Sequence, residues 1–194
     1  MINNKGTITL ETERLILRRF RENDAIGMYE NWASDSQVTK YLSWQTHNSI
    51  KESRGIIGSW IKDYHKKEFY QWVIQLKDNN KVIGSISLFN VDNHNENCEL
   101  GYCISRLFWN KGIVTEATSA VVGFAFENVG FKRITACHDI NNPASGRVME
   151  KCGLKYEGTL RKIIKNNKGE LKDHKYYSIL MEDYFNKNEE SICE

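Results

Sequence analysis

The hydrophobic period of the sequence changes from two residues to about 3.6 and back, and this change limits the possible folds more than any other feature. Apolar and polar residues alternate in residues 69–76, 81–89 and 97–104, which predicts three strands. Loops rich in Asn and Asp join them, as in antiparallel hairpins. Residues 112–129 then carry a helical apolar stripe, and residues 133–137 resemble a short strand. Because a helical crossover returns the chain in its original direction, the strands flanking this helix are parallel and the sheet is mixed.

The segments outside this central unit add strands and helices to the predicted sheet. We predict further strands at residues 14–20, 155–164 and 171–181, and helices at residues 22–33, 48–66 and 142–152. The sequence therefore predicts an α/β (α+β) fold, with a mixed, mainly antiparallel sheet of about seven strands flanked by helices on both faces.

The length of the chain indicates one domain. Its 194 residues lie within the roughly 100–200 residues typical of a single domain, and no Pro/Gly/Ser-rich linker interrupts them. We expect a single domain over residues 1–194, with a core at about 12–181 and a polar C-terminal tail at 186–194.

Charge and cysteine content limit the expected partners and compartment. The 27 Lys and Arg residues nearly balance the 25 Asp and Glu residues, so there is no electrostatic reason to expect a nucleic-acid or membrane partner. The five scattered cysteines and the absence of an apolar N-terminal segment are typical of a cytoplasmic protein. The five histidines show no ligand spacing, so we expect no metal.

Residues 104–117 lead from a predicted strand into a helix through a polar turn. This turn contains Lys111 and Gly112. The free N–H groups and the dipole of such a helix start bind phosphate, which points to a cofactor that contains a diphosphate. The segment lacks the G-x-G-x-x-G and G-x-x-x-x-G-K-[ST] patterns, which argues against a Rossmann site and a P-loop. The alternative is a glycine-containing turn before an ordinary helix.

A second polar helix start lies at residues 139–145. Asn142 is placed to cap the helix, Pro143 occupies its first position, and the Ser145 hydroxyl can satisfy an N–H group of the first turn. Capping alone therefore explains these residues without a ligand.

Taken together, the two segments resemble a known family. Residues 109–117 read W-N-K-G-I-V-T-E-A, where the family typically has W-G-K-G-[YI]-A-T-E-A. The later helix has the residues of N-x-x-S-x-x-x-x-E-K-x-G-F, with Leu154 in the aromatic place, and E-T-E-R-L-I-L-R (11–18) and E-L-G-Y (99–102) are also similar. The chain resembles, over residues 12–181, the GNAT superfamily N-acetyltransferases, in particular the ribosomal-protein N-terminal (alanine/serine) acetyltransferase branch. It departs from that pattern at Asn110, where glycine is usual, and at Val114, where a small residue is usual.

The resemblance implies a GNAT-like fold, acetyl-coenzyme A as co-substrate, no metal, and direct attack of an amine on the thioester. It implies that Glu99 is the catalytic base, near a bulge at Gly101, and that Ser145 is the acid. The alternative for Glu99 is a solvated residue of the sheet. The implied cofactor-binding residues are Cys103, Ile104, Trp109, Asn110, Lys111, Gly112, Ile113, Val114, Thr115 and Asn142.

The acceptor is the part of the function that the sequence leaves open. The resemblance favours a primary amine at a protein N-terminus, such as that of a ribosomal protein. The alternatives are a small-molecule amine (a polyamine, an amino sugar or an antibiotic) and a noncatalytic acyl-CoA-binding sensor. Members of the family are often dimeric, so a homodimer is a further expectation.

Overall fold

A computed structural model describes residues 2–190 of the chain, with side chains through residue 186. The strands are β1 (Leu10–Glu11), β2 (Leu15–Arg18), β3 (Tyr70–Leu76), β4 (Val82–Asp92), β5 (Asn97–Ile104), β6 (Arg133–Asp139), β7 (Lys155–Lys165) and β8 (Leu171–Leu180). The helices are α1 (Asp24–Met28), α2 (Ser36–Thr39), α3 (Ile50–Asp63), α4 (Ile113–Gly123), α5 (Pro143–Lys151) and α6 (Met181–Glu190). Wider π-helical turns extend α1 through Ala33 and α4 through Val129.

The strands form one mixed sheet in the order β1-β2-β3-β4-β5-β6-β8-β7. Strands β5 and β6 are parallel, and the other neighbouring pairs are antiparallel. Helix α4 provides the crossover between β5 and β6, so the predicted fold class is confirmed. The described residues contain eight strands rather than about seven, because the two-residue strand β1 is too short to show a period.

Hydrophobic cores lie on both faces of the sheet. The first core contains α4, its π-helical extension and α5, where Phe124 packs against Tyr70 and Trp72 with ring centroids 6.0 and 5.7 Å apart. The second core contains α1 and α3, with Met28 and Ile57 among its buried residues. Every residue of β3 is buried, as expected for a strand covered on both faces. Helices therefore flank both faces, as predicted.

The structure differs from the local predictions at three points. The polar tail expected at 186–194 overlaps α6, which continues to Glu190, and residues 191–194 lie outside the described residues. The short helix α2 was not predicted. Strand β4 extends beyond residue 89 to Asp92, through a bulge. In the part of the chain that the structure describes, no helix has the length and apolar character needed to cross a bilayer.

Candidate active site

The candidate site lies where the two parallel strands separate. Strands β5 and β6 pair at three positions, the last being Glu99 opposite Thr135. Beyond this pair, β5 continues to Ile104 and β6 to Asp139 without pairing to each other. The separation opens a gap in the sheet and leaves backbone N–H and C=O groups on the facing edges without a ladder partner. Residues 100–104, which include the predicted cofactor contacts Cys103 and Ile104, line one side of this gap.

The turn between β5 and α4 contains two residues with left-handed backbone conformation. Gly112 has φ of 72° and Asn110 has φ of 58°. Asparagine is among the few residues besides glycine that adopt this conformation readily, because its short polar side chain makes local hydrogen bonds. The backbone therefore explains how Asn110 can replace the glycine that is usual in the family.

The N-terminus of α4 has the properties of an anion-binding site. The first intrahelical hydrogen bond runs from the Glu116 N–H to the Gly112 carbonyl, at 3.0 Å. The preceding N–H groups, at Ile113, Val114 and Thr115, therefore have no acceptor within the helix. The Lys111 side chain is exposed, and its ammonium lies 5.2 Å from the Phe108 ring centroid. This combination can bind a phosphate group.

Glu116, in the first turn of α4, is tied to the N-terminal segment of the chain. Its carboxylate accepts hydrogen bonds from the Thr12 hydroxyl at 2.5 Å and from the Arg14 Nε at 2.6 Å. Arg14 Nη1 also donates to the Lys111 carbonyl at 3.1 Å. Burial acts to raise the pKa of Glu116, but the hydrogen bonds from Thr12 and Arg14 and the charge of Arg14 outweigh it and lower the pKa. Arg14 therefore holds both the turn and the helix that follows it.

If this helix start binds the diphosphate of acetyl-CoA, as the resemblance implies, the Arg14→Gln substitution should weaken acetyl-CoA binding about fivefold, as measured by KM or by direct titration. Arg14 stabilises the turn, and a loss of about 1 kcal/mol in the free energy of binding lowers the affinity about fivefold. The melting temperature should change little, because the Arg14 side chain is 44% exposed and such ion pairs contribute little stability. Arg14→Lys is the matched control for charge. Lysine keeps the positive charge but lacks the planar guanidinium group that contacts two acceptors. An unchanged KM with a clearly lower melting temperature would contradict the expectation.

Glu99 is half-buried at the point where β5 and β6 separate. Its Oε1 accepts a hydrogen bond from the Asn90 Nδ2 at 3.0 Å. The bulge expected at Gly101 lies instead on the neighbouring strand β4, between Phe89 and Asp92. Gly101 allows a close approach, because a Cβ atom there would lie 2.9 Å from the Phe89 Cε1. The glycine in this strand is thus explained by packing against Phe89.

Two further polar side chains share the sheet face with Glu99. They are Cys137 of β6 and Tyr176 of β8, which lie directly opposite each other. Burial raises the pKa of Cys137 to about 11, and the nearby Glu99 charge adds to this. Burial also raises the pKa of Tyr176 to about 12, together with the effects of Cys137 and Glu99. At neutral pH the Glu99 carboxyl group therefore shares this face with a protonated thiol and a protonated phenol.

Ser145 lies on the other face of the sheet and contacts Tyr102 of β5. The Tyr102 hydroxyl donates to the Ser145 carbonyl at 2.9 Å and lies 3.0 Å from the Ser145 Oγ. The Ser145 hydroxyl thus pairs with a strand residue, and not with an N–H group of the first turn as the capping alternative requires. Asn142 occupies the N-cap position, but its side chain makes no capping hydrogen bond. Sequence reasoning missed Tyr102 as a site residue, although it is the last residue of the E-L-G-Y segment.

A segment at residues 41–47, here called the strap, lies on the side of the sheet that carries Glu99, where Trp44 packs against the second core. It leaves the helical layer over β4, and its Gln45 Nε2 donates to the Asn167 carbonyl in the β7–β8 turn at 2.5 Å. In the strand order, β5 and β6 lie between β4 and β8, so this contact joins elements from the two sides of the gap. The Thr39 and Thr46 hydroxyls, 2.6 Å apart, hold one end of the strap.

The predicted site residues thus fall into three groups around one gap. Glu99 lies on one face of the sheet, and Ser145 and Asn142 lie at the start of α5 on the other. The third group follows the chain from the end of β5, at Cys103 and Ile104, to the turn and helix start at residues 109–115. No group of three or more His, Cys, Asp or Glu residues within residues 2–190 could hold a metal ion.

Comparison with known proteins agrees with this geometry. A family model described as "Acetyltransferase (GNAT) domain" matches residues 14–155. The chain is 33% identical over 171 residues to the uncharacterized N-acetyltransferase YoaA of Bacillus subtilis (strain 168), covering 88% of this chain and 96% of that protein.

Two solved structures share the fold at lower identity. One is the ribosomal-protein-S5-alanine acetyltransferase from Vibrio fischeri, which is 20% identical, with a TM-score of 0.80 and coverage of 91% of this chain and 98% of that one. The other is the microcin C7 self-immunity acetyltransferase MccE in complex with acetyl-CoA and AMP, which is 24% identical, with a TM-score of 0.78 and coverage of 87% and 93%.

The chain belongs to the GNAT family of acetyltransferases. It is an N-acetyltransferase, like the relatives that it matches over most of their length. The predicted family and the predicted enzyme class are therefore confirmed.

Proposed function

We propose that the protein transfers the acetyl group of acetyl-CoA to a primary amine, by direct attack of the amine in the gap between β5 and β6. The observation that carries this proposal is the placement of Glu99 and Ser145 on opposite faces of that gap. An amine that enters from the Glu99 face meets the thioester, and the thiol leaves toward the Ser145 face. The solved MccE structure, which contains acetyl-CoA, supports the choice of co-substrate.

The cofactor is assigned to the backbone and side chains around the gap. The diphosphate binds at the N-terminus of α4, the pantetheine arm lies along the free edge of β5, and Asn142 contacts that arm. The residues proposed for these contacts are Cys103, Ile104, Trp109, Asn110, Lys111, Gly112, Ile113, Val114, Thr115 and Asn142. The support is the uncapped α4 N-terminus and the unpaired strand edge.

The proposed chemistry requires three proton transfers, two from the amine nitrogen and one to the thiolate. A lysine-type amine has a pKa of about 10.4 and a terminal amine about 8, so most of the acceptor arrives protonated. Glu99 takes a proton from the amine, directly or through a water molecule. The nitrogen then bonds to the thioester carbon, and a backbone N–H of β5 stabilises the oxyanion. The C–S bond breaks, the nitrogen releases its second proton to solvent to leave the neutral amide, and Ser145 gives its proton to the thiolate.

A protein N-terminal amine is the first candidate acceptor. The sequence motifs resemble the ribosomal-protein N-terminal acetyltransferase branch, and the Vibrio fischeri neighbour is named for that substrate. An extended N-terminal peptide is narrow enough to reach Glu99 from the side of the gap.

A small amine is the second candidate, and the strap favours it. The contact between Gln45 and Asn167 joins the helical layer on the Glu99 side to the β7–β8 turn, across the two strands between which the amine would enter. A bridged entrance restricts the size of the acceptor, whereas a folded protein surface needs an open cleft. The strap and the β7–β8 turn are thus the elements that select the acceptor.

An acceptor panel tests both the activity and the acceptor. The purified protein is mixed with acetyl-CoA and with polyamines, amino sugars or peptides that begin with Ala or Ser, and release of the CoA thiol is followed with a chromogenic disulfide. We expect amine-dependent release. If the strap excludes peptides, Gln45→Ala should raise the rate of peptide acetylation severalfold and leave the rate with small amines unchanged. The control is Gln37→Ala, a substitution on the exposed surface of α2. Thiol release that is independent of every amine would contradict the proposed function.

A further inference from the structure

Tyr102 connects the two elements that separate at the site. The tyrosine projects from β5 beyond the last residue pair that β5 shares with β6. Its hydroxyl reaches the first turn of α5, the helix that follows β6, through both contacts with Ser145. In this region the sheet provides no hydrogen bonds between β5 and β6, so the side chain of Tyr102 is a direct link between the two sides of the gap.

The alternation of side chains along β5 places this link on the acid side of the gap. Successive side chains of a strand point to opposite faces, so Glu99 and Tyr102, three positions apart, lie on different faces. Tyr102 packs against the core that contains α4 and α5, as expected from this alternation. The link is therefore separate from the amine entrance and close to the proposed leaving thiol.

The available protons determine the direction of the hydrogen bonds. A phenol has one proton, and Tyr102 donates it to the Ser145 carbonyl at 2.9 Å. The 3.0 Å contact between the two hydroxyl oxygens is then donated by Ser145. Burial raises the pKa of Tyr102 well above its ordinary value, so the phenol keeps its proton at neutral pH.

We infer that Tyr102 is a positioning residue for the acetyl transfer and acts through Ser145. It holds the serine hydroxyl and the first turn of α5 at a fixed position relative to β5. When Ser145 gives its proton to the thiolate, an S–H bond forms and the Oγ–H bond breaks. The Tyr102 hydroxyl turns to donate to the Oγ as negative charge develops there, and Ser145 recovers a proton from solvent. This inference rests on the acid role of Ser145 in the proposed function.

The test is a double-mutant cycle of Tyr102→Phe and Ser145→Ala, assayed with acetyl-CoA and the most active amine of the acceptor panel. Tyr102→Phe keeps the ring and removes only the hydroxyl. We expect kcat to fall about ten- to a hundredfold, the effect of losing one hydrogen bond to a developing charge, with the KM for acetyl-CoA unchanged. In the Ser145→Ala background the same substitution should lower kcat no further.

Tyr70→Phe is the matched control, because its buried ring also carries a bonded hydroxyl, 2.8 Å from Asn4 Oδ1. It should keep the wild-type kcat, and melting temperatures should show that all variants fold. Two results would overturn the inference and leave the proposed function intact. One is an equal loss of kcat from Tyr102→Phe in both backgrounds; the other is a wild-type kcat for Tyr102→Phe when Ser145→Ala is impaired. A wild-type kcat for Ser145→Ala would overturn the acid role in the proposed function and the inference together.

Discussion

Replacing Glu99 by glutamine is expected to lower kcat by about 10²- to 10⁴-fold at neutral pH, the range that a general base contributes. The change is nearly isosteric, and the glutamine carbonyl can still accept the hydrogen bond that Glu99 receives from Asn90. The variant therefore removes the ability to take a proton while keeping the local geometry. The KM for acetyl-CoA should not change, because Glu99 lies away from the α4 N-terminus.

The pH dependence of the Glu99→Gln variant distinguishes a base from a merely structural carboxylate. The amine loses its own proton as the pH approaches its pKa, which is about 8 for a terminal amine and about 10.4 for a lysine-type amine. The need for a base then falls, so the ratio of wild-type to variant kcat should decrease as the pH rises toward that value. A ratio that stays constant between neutral pH and the amine pKa would argue against proton transfer to Glu99.

Glu157→Gln is the matched control for charge. Glu157 contacts Ser178 of β8, which pairs with Thr135 and so lies in the same row of the sheet as Glu99. Its carboxylate is paired with Arg133 at 2.9 Å. Removing this charge should leave kcat and its pH dependence unchanged. A loss as large as that of Glu99→Gln would indicate that general electrostatics, and not a specific base, is responsible.

The long periodic segments of the sequence predicted most of the fold. Strands β3, β4 and β5 and helix α4 each repeat their pattern often enough to be recognised, and the parallel pair of β5 and β6 follows from the crossover alone. Strand β1 and helix α2 have two and four residues, which is too short for a period to be visible. Helix α6 was missed because we extended β8 through Met181 and interpreted the polar residues after it as a tail.

Local sequence patterns indicate those parts of the candidate site in which residues act through their position along the chain. Residues 109–115 belong to one turn and one helix start, so their sequence already indicates an anion site. Tyr102 meets Ser145 across 43 positions of sequence, and this contact depends on how far β5 and β6 diverge. The Gln45 contact with Asn167 spans 122 positions and depends on the path of the strap. A local sequence pattern does not indicate contacts between residues that are so far apart in the chain.

The second large effect is expected at Gly112, where a Gly112→Val substitution should raise the KM for acetyl-CoA at least tenfold. Valine is disfavoured at φ of 72°, because a left-handed conformation costs an L-residue about 1–2 kcal/mol and β-branched residues are true outliers there. The turn would then change its conformation and move the N–H groups of α4.

The neighbouring Asn110 provides the comparison that separates backbone conformation from bulk. It already has positive φ, at 58°, so Asn110→Gly should fold normally and bind acetyl-CoA at least as tightly as the wild type. Gly112→Asn keeps a residue that tolerates the left-handed region, and a Cβ there would have only one neighbour within 4 Å, Arg14 Nη2 at 3.6 Å. If Gly112→Asn binds acetyl-CoA nearly as well as the wild type while Gly112→Val does not, backbone conformation is what Gly112 provides. If both variants lose binding equally, the site requires a residue without a side chain at position 112, because the diphosphate lies directly against the backbone.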